Sequence, residues 1–327
     1  MTNDSVHVSR LAPSPTGALH LGNIRTFLWA WLSARAQNGR VIMRVEDLDS
    51  PRVKPGVTEK MLDDLKWLGF DWDEGPDGCV QTQRRAYYLQ IHEQLRACGA
   101  IYPCICTRGD IAAAQSAPHE GDADSEGELR YPGICRGKFA DEASAIAASP
   151  TGRAPAWRLK VEPGRIEYTD LLSGPHAIDV HGTIGDFIVA KGPDNPAYQL
   201  AVVADDIAMN VTEVVRGDDL ISSTGRQILL YRLLGAPIPK FGHVPLVVGP
   251  DGKRLAKRHG DARIASFRAA GIPPSHIIAT LARWSGLHCG PAAMPRDLLP
   301  LWSWSNVLRD RVVLTPEKLA ELEQRPK

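Results

Sequence analysis

Arg10-Leu11-Ala12-Pro13-Ser14-Pro15-Thr16-Gly17-Ala18-Leu19-His20-Leu21-Gly22-Asn23 runs from a short apolar strand, through a proline- and glycine-rich turn, into a helix. Val6 and Val8 lead in, Pro13, Pro15 and Gly17 interrupt regular backbone, and Ile24, Phe27, Leu28, Trp31 and Leu32 recur at helical spacing. A helix that opens on such a turn aims its unbonded N-terminal amides at it, and the aligned peptide dipoles favour an anion there. Connections of this kind are common in α/β proteins, so the segment alone fits an ordinary turn as well as an anion site.

Outward from it, Val41, Met43 and Val45 alternate in a second strand that ends in Glu46-Asp47-Leu48-Asp49, placing acidic side chains where a parallel strand leaves its sheet and ligands bind. Two helical segments follow, one with Met61, Leu62, Leu65 and Leu68 on one face and one over 82–97, which read as the layer covering the sheet. Residues 101–195 change character: 112–128 is rich in Ala, Gly, Ser and acids without periodicity, and 156–161, 166–170 and 187–190 read as strands filling an insertion. The stretch 196–206 reads as a buried strand or a helix start with two acids at its end. A second apolar run, 211–215, ends in Arg216-Gly217-Asp218-Asp219, and Ser222, Ser223 and Thr224 are N-cap residues for a helix carrying Ile228, Leu229, Leu233 and Leu234. The alternation predicts an α/β nucleotide-binding fold of Rossmann type, split into halves at 1–100 and 196–250 by an α+β insertion at 101–195. After it, 251–327 supplies a basic loop and a short helical region, with helical patterns over 264–270 and 277–287.

Composition narrows the class. The 327 residues carry 38 basic and 38 acidic side chains and are 43% hydrophobic, which fits an ordinary globular protein and gives no bulk charge to announce a nucleic-acid partner. Neither a signal-like start nor an apolar run of membrane-spanning length is present, so the expected location is cytoplasmic, with no membrane partner. Of six cysteines, Cys104, Cys106 and Cys135 cluster. Cys-x-Cys with a later Cys supplies three ligands of a tetrahedral zinc, or three small core residues; the spacing allows both, and no histidine outside the 112–128 stretch offers a fourth ligand nearby. Arg10 and Arg216 are guanidinium groups able to clamp carboxylates, with Tyr198 adding a hydroxyl. Asp251-Gly252 marks a tight hairpin turn, followed by four basic residues in Lys253-Arg254-Leu255-Ala256-Lys257-Arg258.

The spelling of these stretches resembles the glutamyl branch of the class I aminoacyl-tRNA synthetases over nearly the whole chain. Pro13 to Gly17 followed by His20-Leu21-Gly22-Asn23 is similar to that family's HIGH-type signature, Arg44 to Asp49 to its second conserved stretch, and the basic loop to its KMSKS-type signature. The resemblance implies that His20, Gly22, Asn23, Arg254 and Lys257 bind ATP, supplied with Mg2+, and that His20 and Lys257 serve catalysis. It implies that Arg10, Ala12, Ser14, Glu46, Tyr198 and Arg216 bind L-glutamate, with Glu46 reading the ammonium group. Two departures stand in the loop: Arg254 at the first lysine position and Ala256 where a serine is usual; activity is expected to survive both. Cys104-x-Cys106 with Tyr131-x-x-x-Cys135 resembles the zinc site of the truncated glutamyl-queuosine tRNA(Asp) branch, which implies a structural Zn2+, one per chain, on Cys104, Cys106, Tyr131 and Cys135. Only about 70 residues follow the loop, too few for the anticodon-binding domain of a discriminating glutamyl-tRNA synthetase. The implied activity is tRNA-independent formation of glutamyl-adenylate, then transfer of glutamate to queuosine in the anticodon loop of tRNA(Asp). A minimal glutamyl-tRNA synthetase charging the acceptor end, and a non-catalytic glutamate- or RNA-binding relative, remain alternatives.

Overall fold

The computed structural model describes residues 6–48, 55–115, 129–253, 255 and 261–324. Strand β1 (Val8–Leu11) leads through the turn into helix α1 (Leu21–Ala36), which returns to β2 (Arg40–Met43). The two strands pair in parallel with Arg10 opposite Ile42, as a helical crossover requires. Helix α1 buries Phe27, Trp29, Ala30, Trp31, Leu32 and Ser33, residues that point all round it, because it lies between the sheet and the C-terminal helices. Helix α2 (Val57–Trp67) buries the expected face through Met61 and Leu65, and α3 (Arg85–Ala97) follows a single 3-10 turn at Gln81–Arg84.

Beyond these come β3 (Ile101–Cys104), α4 (Arg108–Gln115), α5 (Glu142–Ala148), β4 (Ala156–Leu159), β5 (Ile166–Asp170), β6 (Gly174–Ile178), α6 (Val180–Thr183) and β7 (Phe187–Ala190). The stretch left open between strand and helix is helix α7 (Tyr198–Ala208), so its two acids, Asp205 and Asp206, sit inside a helix and are buried. Strand β8 (Glu213–Gly217) and helix α8 (Ile221–Leu233) restore the alternation. Helix α8 starts earlier than its serines suggest, with Leu220 at the cap position and no side-chain cap, while Ser223 and Thr224 are buried in its first turns. Then follow β9 (Lys240–Val244), β10 (Val247–Val248), α9 (Ile264–Ala269), α10 (Pro274–Trp284), β11 (Val312–Val313) and α11 (Pro316–Glu323).

Strands β3, β4 and β7 form an antiparallel sheet in the middle of the chain, whereas β5 and β6 do not stay with it. They make a hairpin that joins β8 and β9 in the order β6-β5-β9-β8, attached to β9 by one register pair, Asp170 with Phe241. Pairing partners are chosen in three dimensions, and nothing local in 166–178 carries that choice. The β1–β2 pair and the four-stranded mixed sheet meet where the Thr212 amide donates to the Val8 carbonyl (2.9 Å), so β1 and β8 run side by side and bring Arg10 next to Arg216. Asp251-Gly252 does form a tight turn, Gly249 N to Lys253 O at 2.8 Å with Gly252 at φ 71°, but among the described residues it closes no hairpin ladder; β10 pairs in parallel with the distant β11. Among the described residues, no helix is long and apolar enough to cross a membrane.

Candidate active site

The β1–β2 pairing continues past the strands: Arg44 N donates to Leu11 O (2.9 Å) and Glu46 N to Pro13 O (3.0 Å), which fixes Glu46 beside the opening turn. The strand ends, the turn, the start of α1 and the start of α7 enclose a cavity of about 650 Å3. Arg10, Ala12, Ser14, His20, Gly22, Asn23, Glu46, Tyr198 and Arg216 all line it, although they come from four separate parts of the sequence. Its volume is that of a small-ligand site. Arg254 and Lys257 lie outside the described residues, but Leu255 between them also lines the cavity. The chain after the basic loop is strapped to the turn, with Leu21 N bonded to Ala262 O (3.0 Å) and Ile264 N to Leu19 O (2.9 Å).

At the α1 end, His20 is the N-cap. Its Nδ1 accepts from Gly22 N (3.2 Å) while Asn23 Oδ1 accepts from His20 N (3.1 Å), a reciprocal capping box. An imidazole whose Nδ1 accepts carries its proton on Nε2 when neutral. A Cβ on Gly22 would stand 3.1 Å from the ring, so glycine here lets the imidazole lie flat against the helix start. The dipole of the sixteen-residue α1 adds positive potential at the same place.

The floor of the cavity is a charge network. Arg44, fully buried, pairs with Glu46 (Nη2 to Oε1, 2.9 Å) and Asp206 (Nη1 to Oδ1, 2.5 Å), and its Nε stands 4.0 Å from Asp205. Asp206 also accepts from Tyr231 Oη (3.1 Å) and lies 3.6 Å from Arg10 Nε. Asp205 accepts from Gln81 (2.9 Å), Arg84 (2.7 Å) and Tyr88 (2.9 Å), tying α3 to α7. Burial holds the Glu46 carboxyl above its ordinary value despite the opposing pull of Arg44 and Arg10. Arg10 spends one N–H on the Val215 carbonyl (3.1 Å).

Arg216 is buried among neutral acceptors. Its Nε donates to His243 Nε2 (3.1 Å), Nη1 to Gln227 Oε1 (2.7 Å), and Nη2 to Thr224 Oγ1 (2.9 Å) and the Leu220 carbonyl (3.3 Å). Among the described residues no carboxylate stands within ion-pair distance of it, and burial lowers its pKa from the usual guanidinium value. A buried cation held this way is an unmet demand for an anion, and the cavity opens on it. Arg44, Asp206 and His243 were not singled out as site residues. The available signal was an isolated charged or imidazole side chain within an apolar run, Met43-Arg44-Val45 and Phe241-Gly242-His243-Val244.

Apart from the cavity, Cys104 at the end of β3 meets Cys106, Tyr131 and Cys135. Cys106 Sγ is 3.4 Å from Cys135 Sγ, Tyr131 Oη is 3.3 Å from Cys104 Sγ and 3.7 Å from Cys106 Sγ, and the three sulfurs lie within 4.8 Å of one another. Four ligands at zinc bond lengths would stand roughly 3.5–3.8 Å apart, so these donors match the edges of a tetrahedron. Tyr131 is brought in by a close backbone crossing at Gly185, where a Cβ would sit 2.3 Å from the Tyr131 carbonyl. Burial, with the neighbouring thiols adding to it, pushes the Cys106 thiol up to about 12, whereas hydrogen bonds from Tyr131 and Arg158 outweigh burial and lower the Cys104 thiol; a divalent cation would hold the crowded donors deprotonated. Arg158 flanks the group, donating to Cys104 Sγ (3.3 Å) with its guanidinium 3.6 Å from the Tyr131 ring centre.

Residues 5–289 match the family described as tRNA synthetases class I (E and Q), catalytic domain. The chain belongs to that family. As a class I tRNA synthetase of this type it is an ATP-dependent ligase built on a class I α/β fold. A protein of Symbiobacterium thermophilum named Glutamyl-Q tRNA(Asp) synthetase is 46% identical over 320 residues, covering 96% of this chain and 97% of the relative. One of the same name from Rhodopirellula baltica is 49% identical over 288 residues, 86% of this chain and 85% of the relative. The crystal structure of glutamate-tRNA synthetase from Elizabethkingia anophelis matches with a TM-score of 0.80 at 26% identity, over 96% of this chain and 69% of that one.

Proposed function

We propose that this synthetase activates L-glutamate with Mg·ATP to glutamyl-adenylate without needing tRNA, and then transfers glutamate to queuosine at the wobble position of tRNA(Asp). The observation that carries the first step is the single cavity whose one wall offers Arg10, Glu46, Tyr198 and Arg216 and whose other wall is the α1 N-terminus. Glutamate carries two carboxylates and an ammonium group; Arg10 and Arg216 answer the first two and Glu46 the third. His20 and the α1 amides, with Gly22 and Asn23 beside them, hold the phosphates of ATP, and Ala12 and Ser14 line the seam between the two substrates. An α-carboxylate oxygen attacks the α-phosphorus, forming the acyl-phosphate bond and expelling pyrophosphate, whose charge Arg254 and Lys257 neutralise. The protein contributes positioning and charge stabilisation rather than a covalent nucleophile. A queuosine hydroxyl then attacks the acyl carbonyl, the new ester takes the glutamyl group, and AMP leaves. The names of the relatives from Symbiobacterium and Rhodopirellula support this acceptor. Cys104, Cys106, Tyr131 and Cys135 would hold a zinc ion that fills all four positions with protein and so acts structurally.

Glutamate-dependent exchange of pyrophosphate into ATP, run without tRNA, tests the first step. Transfer of labelled glutamate to tRNA(Asp) carrying queuosine, to tRNA(Asp) carrying guanosine at that position, and to queuosine-containing tRNA(Asp) lacking its terminal adenosine tests the second. Labelling of the first and third alone is expected; a requirement for the terminal adenosine would show acceptor-end charging instead. Metal analysis of the purified protein is expected to give about one zinc per chain.

A further inference from the structure

Arg216 keeps its charge in the cavity without an adjacent carboxylate, and the residues behind it explain how. His243 Nε2 faces two donors, Arg216 Nε at 3.1 Å and the Thr224 hydroxyl at 3.2 Å. A guanidinium N–H can only donate, so Nε2 must be the unprotonated nitrogen and the imidazole proton sits on Nδ1. Nδ1 is 2.7 Å from Asp170 Oδ2, with both side chains fully buried. Asp170 is itself locked: its Oδ1 accepts from the amides of Leu172 and Ser173 (both 2.9 Å), and its Oδ2 from the His243 amide (3.1 Å). Asp206 adds an opposite charge at longer range, and the carboxylate hydrogen-bonded into the group behind Arg216, Asp170, is one imidazole away. A carboxylate in direct contact would occupy the guanidinium and compete with a substrate carboxylate; one relayed through a neutral ring orients the group and leaves its charge for the ligand.

We propose that Asp170 and His243 are positioning residues for glutamate recognition: the buried Asp170–His243 pair fixes the imidazole tautomer, and the imidazole sets the direction of the Arg216 guanidinium. The inference rests on Arg216 belonging to the glutamate pocket. Two substitutions separate its parts. His243→Asn keeps a donor toward Asp170 but removes the acceptor for Arg216 Nε, whereas His243→Gln keeps an acceptor near the Nε2 position. Loss of a hydrogen bond to a charged group predicts that His243→Asn raises KM for glutamate about ten- to a hundredfold in pyrophosphate exchange, with KM for ATP unchanged. His243→Gln restores most of the affinity. Nitrogen-15 spectra of histidine-labelled wild-type protein should show His243 as the neutral Nδ1–H tautomer; in Asp170→Asn, whose amide can donate to Nδ1, the proton should move to Nε2. A wild-type imidazole that is cationic or protonated on Nε2 overturns the relay, as does a His243→Asn effect equal on both substrates. If the wild type shows no glutamate-dependent exchange, the proposed function fails, and the tautomer measurement still judges the relay.

Discussion

Two arginines sit at equal depth in this protein, close on either side of Arg10, and their surroundings are opposite. Arg44 is enclosed by three carboxylates, two in contact and a third at 4.0 Å; Arg216 is enclosed by a histidine, a glutamine, a threonine and a carbonyl. A buried guanidinium with its charge answered by protein holds elements together, here β2 to α7. A buried guanidinium whose charge is left open is stable only because a ligand or a relayed charge completes it. Residue type and burial are the same, so the difference in role lies wholly in the neighbours.

Substitutions should separate the two. Arg44→Met leaves Glu46, Asp205 and Asp206 without their shared cation, and should cost about 3–5 kcal/mol of stability in urea denaturation. Arg216→Met removes a cation with no ion pair to lose but four hydrogen bonds, three of them to buried side chains, so its unfolding midpoint should fall clearly less than that of Arg44→Met, while kcat/KM for glutamate in pyrophosphate exchange falls about 100- to 1000-fold, roughly 3–4 kcal/mol. If Arg216→Met unfolds the protein as readily as Arg44→Met, the contrast is broken.

Acid sharpens the same contrast. Burial opposes ionisation of Asp170, but His243 and the backbone amides outweigh it and hold its pKa at about 2 instead of 3.8. Its folded value is depressed, so its stabilisation is present above pH 4 and is lost as pH falls toward 2, a contribution of roughly 2 kcal/mol. Denaturation midpoints of Asp170→Asn should lack that acid limb. Glu46 has the opposite sign: its raised pKa makes the ionised form, which we propose pairs with the substrate ammonium, disappear earlier as pH falls. KM for glutamate should therefore climb on the acid side at a pH above the usual carboxylate range, and Glu46→Gln should flatten the profile at a uniformly higher KM. The smallest effect belongs to the other wall. Gly22→Ala crowds the His20 ring at 3.1 Å, and KM for ATP should rise about three- to fivefold with the glutamate parameters unchanged.

Much of this was legible in one dimension because the stretches that build the site have strong local signatures. The proline and glycine turn at 13–17, the helical spacing of Ile24, Phe27, Leu28, Trp31 and Leu32 after it, and the alternating Val41, Met43 and Val45 need no distant partner to be recognised. What escaped depends on such partners. Ser223 and Thr224 have the composition of cap residues, yet the fold spends their hydroxyls on Gln199 and Arg216 inside the helix. Asp205 and Asp206 read only as two acids at the end of a buried strand or helix start, until the 3-10 turn before α3 and the residue after β2 bring Arg84 and Arg44 to them. His243 stands out locally only as an imidazole within an apolar run; its role appears when Asp170, 73 residues earlier, arrives beside it.

That arrival comes with the docking of the β5–β6 hairpin on β9, through the register pair Asp170 with Phe241, the Leu171 N to Phe241 O bond and the packing of Tyr168 on Phe241. The middle segment of the chain is therefore not an interchangeable cassette. A chimera that exchanged residues 101–195 with those of a relative would carry away the carboxylate behind Arg216, the arginine we propose reads glutamate. The donor would have to supply both the aspartate and a hairpin that meets β9 in the same register, or the recipient would inherit a pocket whose specificity had been edited from behind.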